Sequence, residues 1–578
     1  MSADTDFHRA PLAACVVALL LQACGGGGGS ATAPAPAPTP APAPAPDGGL
    51  DDPTNYSSVA NASLPGAVEA AAITQHRISL TGQTLDYTAT AGHLIAREPG
   101  GAQRPQAAMF YVAYTLPGAN PATRPVTFFY NGGPGSASVW LQLGSFGPKR
   151  LVTGVPETTA TRPFPLVDNP DTLLPQSDLV FVNAVGSGRS QAIAPFTNRS
   201  FWGVDADAAV FRDFVLRYLQ ANNRMASPNF LYGESYGGPR TAVLARRLQE
   251  AGMPMDGLVL QSPAMDYNSN CGIADAPTLP CTGYLPTYAA VGAWHRLSQP
   301  VPTDLDAWMT QARQFAAASY GPAVQAFLNN GSAAPTLWQP LADLTGLPAS
   351  RWQAQFNLGP TPFRENLLPG QLLGRYDARM KAPVGSVLAS EGDPSSTWLT
   401  SSFTNGIATH LRDDLRYRNA STYVLFSNAI EVWDFSHEGR RLPDTIPDLA
   451  FALTQNPRLR VLAVNGLHDL ATPFHTTELD LARLASSRVQ VRNYVGGHMS
   501  FLDDVSRPRQ RADLVAFYAE TLAARATAPA APQRHALAAG PGQGPDRAGT
   551  PQLPGFFTPP PENAIQTTKR DPWVPPRQ

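Results

Sequence analysis

The stretch from Asn229 to Gly238 constrains the fold of this chain more than any other. A short apolar run, Phe230-Leu231-Tyr232, breaks into Gly233-Glu234-Ser235-Tyr236-Gly237 and then into a helix-like pattern from Arg240 to Glu250, stopped by Gly252. A serine hydroxyl is a weak nucleophile, so chemistry at Ser235 needs it exposed on a sharp strand-to-helix turn. Gly233 and Gly237 give the backbone room to make that turn. Alone, the pattern could be a chance match in a chain with 48 glycines; the apolar run before it and the helical run after it supply the context the chemistry requires.

With 578 residues, 43% of them hydrophobic and 9% aromatic, the chain can bury a large core, as expected of one catalytic domain carrying an insertion. A net charge of −2 supplies no basic footprint, which excludes nucleic acid as an expected partner. Proline, at 58 residues, is roughly twice its usual share. Most of the excess sits at the two ends, which are therefore expected outside the fold. Residues 1–23 place His8 and Arg9 before an apolar run too short to span a bilayer as a mature helix, and read as a secretion signal. The run ends in Leu21-Gln22-Ala23-Cys24, which resembles a bacterial lipobox. That implies a lipidated Cys24 followed by a Gly- and Ala-Pro-rich tether over residues 24–54, and an exported protein anchored to a bacterial membrane, periplasmic or on the cell surface. The alternative is an ordinary signal peptide with an incidental cysteine. Cys15 leaves with the signal, so Cys271 and Cys281 remain, ten apart in a loop-like stretch. An oxidising compartment favours a local disulfide, and a metal pair lacks Cys or His partners at ligand spacing. No metal or cofactor is expected.

The folded part is expected to begin near Asn55. Residues 76–80, 84–89, 107–115 and 126–130 have the alternation or apolar runs of strands. The last leads into Asn131-Gly132-Gly133-Pro134-Gly135-Ser136-Ala137-Ser138, a loop able to turn backbone N–H groups toward an anion. A phosphate loop would need a Lys-Ser/Thr ending that is absent, so an oxyanion-binding loop fits better. Residues 178–182 read as a further buried strand, and residues 205–222 carry Val210, Phe211, Phe214, Tyr218 and Leu219 on one helical face with Asp205 as N-cap. With the elbow, its helix and a strand over 258–261, this succession specifies parallel α/β winding. Between Ser262 and Gly439 the rhythm changes, and residues 262–439 read as an inserted, mostly helical cap. Winding returns with strands over 460–465 and 489–495, a helix over 476–485 between them and a closing helix over 509–524. The expected core is 55–261 with 440–525, and residues 526–578 are an expected disordered tail.

Both late strands end in candidate acid–base residues: Gly466-Leu467-His468-Asp469 and Gly496-Gly497-His498-Met499. Ser235, Asp469 and His498 form a coherent set. His498 would take the Ser235 proton and later protonate the leaving group, while Asp469 would fix the imidazole tautomer and stabilise its charge. His468 shares the acid's strand end, and acid and base are needed on separate loops, so it is set aside.

The motifs Asn131-Gly132-Gly133-Pro134-Gly135, Gly233-Glu234-Ser235-Tyr236-Gly237-Gly238 and Gly497-His498-Met499 together resemble the serine carboxypeptidase family, peptidase S10, in its bacterial branch, over roughly residues 76–524. The order serine, acid, histidine is also that of α/β-hydrolases. The resemblance implies an α/β-hydrolase sheet with helices on both faces and a helical cap. It also implies a serine carboxypeptidase acting on the C-termini of peptides or proteins through an acyl-enzyme. By the same resemblance, the N–H groups of Gly133 and Tyr236 would form the oxyanion hole, and Asn131, Gly132 and Glu234 would hold the substrate's terminal carboxylate. Glu234 suits that task when protonated, because a neutral carboxyl can donate to a carboxylate that an ionised one repels. The sequence departs from the eukaryotic pattern at Phe129 (there Trp), Ser136 (Cys) and Ser145 (a Glu supporting the carboxylate network). Asn183, Ala184 and Arg189 likewise replace an acid, a proline and an aromatic. Two alternatives remain: an esterase or other acyl hydrolase, which needs no carboxylate clamp, and a non-catalytic surface lipoprotein, against which the intact Ser235, Asp469 and His498 argue.

Overall fold

The computed structural model describes residues 47–100, 102–274 and 278–527. Ten strands form its central sheet: β1 (Ala71–Leu80), β2 (Gln83–Arg97), β3 (Pro105–Thr115), β4 (Val126–Tyr130), β5 (Asp178–Val182), β6 (Gln191–Ala192), β7 (Asn229–Glu234), β8 (Gly257–Gln261), β9 (Arg460–Gly466) and β10 (Val489–Tyr494). Their spatial order is β10-β9-β8-β7-β4-β5-β3-β2-β1, with β6 beside β3. The pairings β1/β2, β2/β3 and β3/β5 are antiparallel. From β5 through β4, β7, β8 and β9 to β10 every pairing is parallel.

The parallel block lies inside because its strands are apolar on both faces: β4, β5 and β8 are buried at every position. Alternate side chains serve opposite layers. Phe128, Leu231, Leu258 and Val461 pack against the helices α1 (Val204–Ala221), α2 (Gly237–Glu250) and α3 (Ile446–Gln455). Phe129, Phe230, Val259 and Leu462 face the other layer. There, beyond α4 (Phe474–Ala482) in the chain, α5 (Ser506–Thr527) contributes Leu514, Phe517 and Tyr518. The register levels the strand ends that matter: Gly233 lies opposite Tyr130 on one side and Leu260 on the other, and β9 and β10 end together at Gly466 and Tyr494.

The segment read as an inserted cap, residues 262–439, packs in two ways. A further apolar cluster gathers Tyr284, Tyr288, Trp308, Trp352 and Phe363 from residues 271–378 and joins them to Leu467, Leu470 and Phe474 after β9. The helix Pro394–Thr409 instead sends Trp398, Leu399 and Phe403 into the main core beside Trp140. The chain after it returns to the catalytic half, with Phe426 bridged to Ser136, Val424 to Gly188 and Asp434 to Gly203. The C-terminal part of the 262–439 segment thus packs on the main core, through long-range pairing that leaves no local periodicity. On the N-terminal side, Leu50–Asp51 pairs with Tyr417–Arg418, so the last part of the 24–54 tether belongs to the fold. Asp205 is not the N-cap of α1: Gly203 is, and Asp205 stands in the first turn, ion-paired to Arg247 at 2.6 Å. Cys271 and Cys281 form a disulfide with Cα atoms 5.4 Å apart. Among the described residues no helix is long and apolar enough to cross a membrane. Residues 1–46, Cys24 included, and 528–578 lie outside the described residues.

Candidate active site

Ser235 follows β7 directly, with φ of +63°, a left-handed conformation that a residue with a side chain holds only when its surroundings impose it. Two features impose it. The Ser235 N–H donates to Gln261 O at the end of β8 (2.9 Å), and Ser235 O accepts from Gly238 N–H (2.8 Å) as α2 begins. The turn has no room for side chains on its glycines: a Cβ on Gly233 would lie 2.1 Å from Gly237 O. The serine itself stays partly exposed.

Asp469 and His498 reach the same edge from the ends of β9 and β10. Asp469 is fully buried and each oxygen takes two contacts. Oδ1 accepts the N–H groups of Ala471 (2.7 Å) and Thr472 (3.0 Å). Oδ2 accepts the Thr472 hydroxyl (2.7 Å) and stands 2.7 Å from His498 Nδ1. Burial alone would lower the His498 pKa, but the charge and hydrogen bond of Asp469, aided by Glu234, hold it above the ordinary value. Among the described residues no hydrogen bond joins Ser235 to His498; ligand-free acid–base pairs are often this loose.

The histidine loop is gripped from both sides. His498 O accepts from the Ser262 hydroxyl (2.7 Å) and from Gln261 Nε2 (3.2 Å). Gln261 in turn accepts from Gln510 of α5 at 2.7 Å, and Ser500 donates to Gln510 at 3.0 Å. From the insertion, Tyr376 O accepts the His498 N–H (2.6 Å), and the Tyr376 ring lies 5.1 Å from the imidazole. Thr472, Gln261, Gln510 and Tyr376 were missed in the sequence because each is an ordinary polar residue defined by a distant partner. A pocket lined by Tyr376, Asp377, Met380, Leu399, Gly497 and Met499 flanks His498. His468 is separate: it packs edge-on against Trp294 at 5.6 Å, and burial holds its pKa well below the usual value.

The glycine loop after β4 presses against the elbow. A Cβ on Gly132 would lie 2.4 Å from Tyr236 N, and Gly133 has φ of +101°. Neither the Gly133 nor the Tyr236 N–H donates to another group among the described residues, so both remain available to a ligand oxygen. Glu234 is buried next to the serine and its Oε2 has no hydrogen-bond partner among the described residues. Burial raises its pKa to about 7, against the opposing pull of His498 and of a hydrogen bond from Asn131. Asn131 Oδ1 accepts from Leu141 N–H at 3.2 Å. Ser145 is engaged elsewhere, its hydroxyl donating to Leu141 O at 2.5 Å.

Away from this edge, His437, Glu438 and Asp448 lie close enough together to hold a cation. Protein charges already occupy that place. His437 Nε2 is 2.9 Å from Asp448, and Arg246 Nη1 is 3.1 Å from both Glu438 and Asp448. Burial disfavours the imidazolium, but hydrogen bonds to Asp205 and Asp448 outweigh it and lift the His437 pKa to about 9.

The strand order, the elbow after β7 and the acid and imidazole after β9 and β10 define a hydrolase of the α/β-hydrolase type. Residues 81–270 match the model of the serine carboxypeptidase family, peptidase S10. That span contains the glycine loop and the elbow and ends before Asp469 and His498. No curated protein matches the chain. Similar solved structures include the proline iminopeptidase of Mycobacterium smegmatis, at 16% identity, covering 75% of this chain and 99% of that one with a TM-score of 0.31. An esterase of Thermogutta terrifontis has 12% identity, 74% and 98% coverage and a TM-score of 0.30. A monoglyceride lipase of Saccharomyces cerevisiae has 10% identity, 74% and 96% coverage and a TM-score of 0.33. Superpositions this loose carry no argument about substrate.

Proposed function

We propose that the protein is a serine-type carboxypeptidase, lipid-anchored through Cys24 to a bacterial membrane and acting on the C-termini of peptides or proteins. The observation that carries the substrate class is Glu234, a buried carboxyl with an unpartnered oxygen beside Ser235 and a pKa near 7. Below that pH it is neutral and can donate to a substrate carboxylate, with the Asn131 side chain and the Gly132 backbone alongside. In the reaction, His498 Nε2 accepts the Ser235 hydroxyl proton as Oγ bonds to the scissile carbonyl carbon. The Gly133 and Tyr236 N–H groups stabilise the oxyanion. The C–N bond then breaks, with His498 protonating the departing amine. Water, deprotonated by His498, releases the acyl group and regenerates the serine.

The test compares a blocked dipeptide, its C-terminal amide and a matched ester with wild-type enzyme and Ser235→Ala. The free acid is expected to exceed the amide in kcat/KM by about 10- to 100-fold, the worth of a hydrogen bond to a charged group, and Ser235→Ala is expected to be inactive on all three. Equal turnover of acid and amide would leave a serine hydrolase and remove the carboxypeptidase. One observation favours an esterase as second reading: Ser145 spends its hydroxyl on Leu141 O rather than on the carboxylate side of the site.

A further inference from the structure

Five residues beyond Ser235, in the first turn of α2, Arg240 is 1% exposed. Its guanidinium makes three hydrogen bonds. Nε and Nη2 donate to Asp207 of α1, at 2.6 and 3.2 Å, and Nη1 donates to the backbone oxygen of Asn131 at 2.6 Å. Aromatic rings enclose it: Phe211 at 4.6 Å, Tyr236 at 5.2 Å and Tyr130 at 5.5 Å. Burial alone would lower the guanidinium pKa, but the charge and hydrogen bonds of Asp207 raise it instead, so the group is a cation.

A dry ion pair of this kind is a poor way to gain stability, since packed hydrophobic residues of similar volume often do as well or better. What it offers here is direction. The third hydrogen bond fixes the Asn131 carbonyl, and because the peptide is planar it also fixes the orientation of the Gly132 N–H and the path on to Gly133. The same side chain lies against Tyr130, which leads into the glycine loop, and against Tyr236, whose own carbonyl accepts the Arg240 N–H at 3.1 Å. One buried cation thus touches both segments that carry the oxyanion donors, at the place where they pack too closely for a Cβ on Gly132.

We propose that Arg240, held by Asp207, is a positioning residue: it sets the Asn131–Gly132 peptide so that the Gly133 N–H and the Tyr236 N–H converge on the substrate oxyanion. The inference rests on the reading of Ser235 as nucleophile. Residue order alone does not reveal it, because Asp207 and Arg240 stand on different helices and neither falls in a motif.

Removing one partner would strand a buried charge and endanger folding, so the first variant is the double replacement Asp207→Leu with Arg240→Met. Folding is checked by thermal melting, and the active fraction by end-point fluorophosphonate titration. The variant is expected to melt cooperatively and to keep KM for an activated ester within about threefold, while kcat per titrated site falls about 100-fold, the scale of losing one oxyanion donor. A folded double variant with kcat per site within about threefold of wild type overturns the proposal. Should the double variant not fold, Arg240→Lys decides. It keeps the charge for Asp207 but has a single donor head and cannot also hold Asn131 O as the guanidinium does, so kcat per site should fall by about tenfold or more. Wild-type kcat in that variant would equally overturn the proposal. Ser235→Ala in the same assay keeps the two claims apart: its retained turnover would remove the nucleophile reading itself. A dead Ser235→Ala beside fast Arg240 variants would remove the positioning role alone.

Discussion

The two sides of Ser235 are built differently. On the imidazole side, every oxygen of Asp469 is engaged, His498 is held at Nδ1, N and O, and the Gln261–Gln510–Ser500 network stands beneath. On the carboxylate side, Glu234 keeps an unpartnered buried oxygen, and Ser145 is turned toward a helix carbonyl. A buried polar atom without a partner costs stability, so the first side is complete in itself, and under the proposed function the second is completed by a substrate carboxylate. Chemistry and selectivity should therefore respond to different substitutions.

The largest effect belongs to the organised side. In Asp469→Asn the N–H groups of Ala471 and Thr472 would keep the amide oxygen where Oδ1 is now, turning the NH2 toward His498 Nδ1 and forcing the wrong tautomer. With that tautomer kcat is expected to fall about 10⁴-fold, equally for acid, amide and ester substrates, with KM little changed. Stopped-time hydrolysis assays on the matched acid and ester check it. A loss confined to the free acid would mean that Asp469 serves binding instead.

The same division explains what could be read from residue order. Ser235, Asp469 and His498 were visible because each ends a strand whose apolar run is local, and because glycine must occupy Gly233 and Gly497, where a Cβ would meet backbone. The parallel sheet was legible for the same reason, since β4, β5 and β8 are short runs buried on both faces. The packing of the 262–439 segment was not. Trp398 and Phe403 look like cap residues in sequence, and only the packing of Phe403 against Trp140 and of Trp398 against Phe164 places them in the main core. Nor could order reveal that Glu234 lacks a second partner or that Thr472 completes the acid, since both depend on groups brought together by different loops.

The second prediction breaks the carboxylate side alone. Glu234→Ala should lower kcat/KM for the free acid by about 10- to 100-fold and leave the ester within about threefold. The pH dependence sharpens this. Burial raises the Glu234 pKa to about 7, so the donor is present below that pH and is lost above it; KM for the free acid should rise as pH passes through 7. His498, with its pKa above the ordinary value, is a base only once deprotonated, so kcat/KM for the ester should climb with pH and then level. The acid substrate should thus show a bell, and the ester a single rise. In Glu234→Gln the falling limb should vanish, because an amide does not titrate. A falling limb retained in Glu234→Gln would assign it to another group.

The smallest effect tests whether the organised side is redundant. Thr472 has one hydroxyl proton and lies within 3.0 Å of Asp469 Oδ2, Ser262 O and His498 Nδ1. Thr472→Val keeps the shape and leaves both backbone N–H groups on Asp469 Oδ1, so the acid stays in place with one donor fewer. The loss of one hydrogen bond of about 1 kcal/mol corresponds to about a fivefold fall in kcat at neutral pH. Losing that donor also concentrates the Asp469 charge on His498, which raises the imidazole pKa further, so the rising limb should move to higher pH and part of the loss should be recovered there. The shift should be the same for the acid and the ester, and the limb set by Glu234 should stay where it is. If the two substrates separate in this variant, the sides of the site are coupled through His498, whose pKa Glu234 also raises, and the division between chemistry and selectivity gives way.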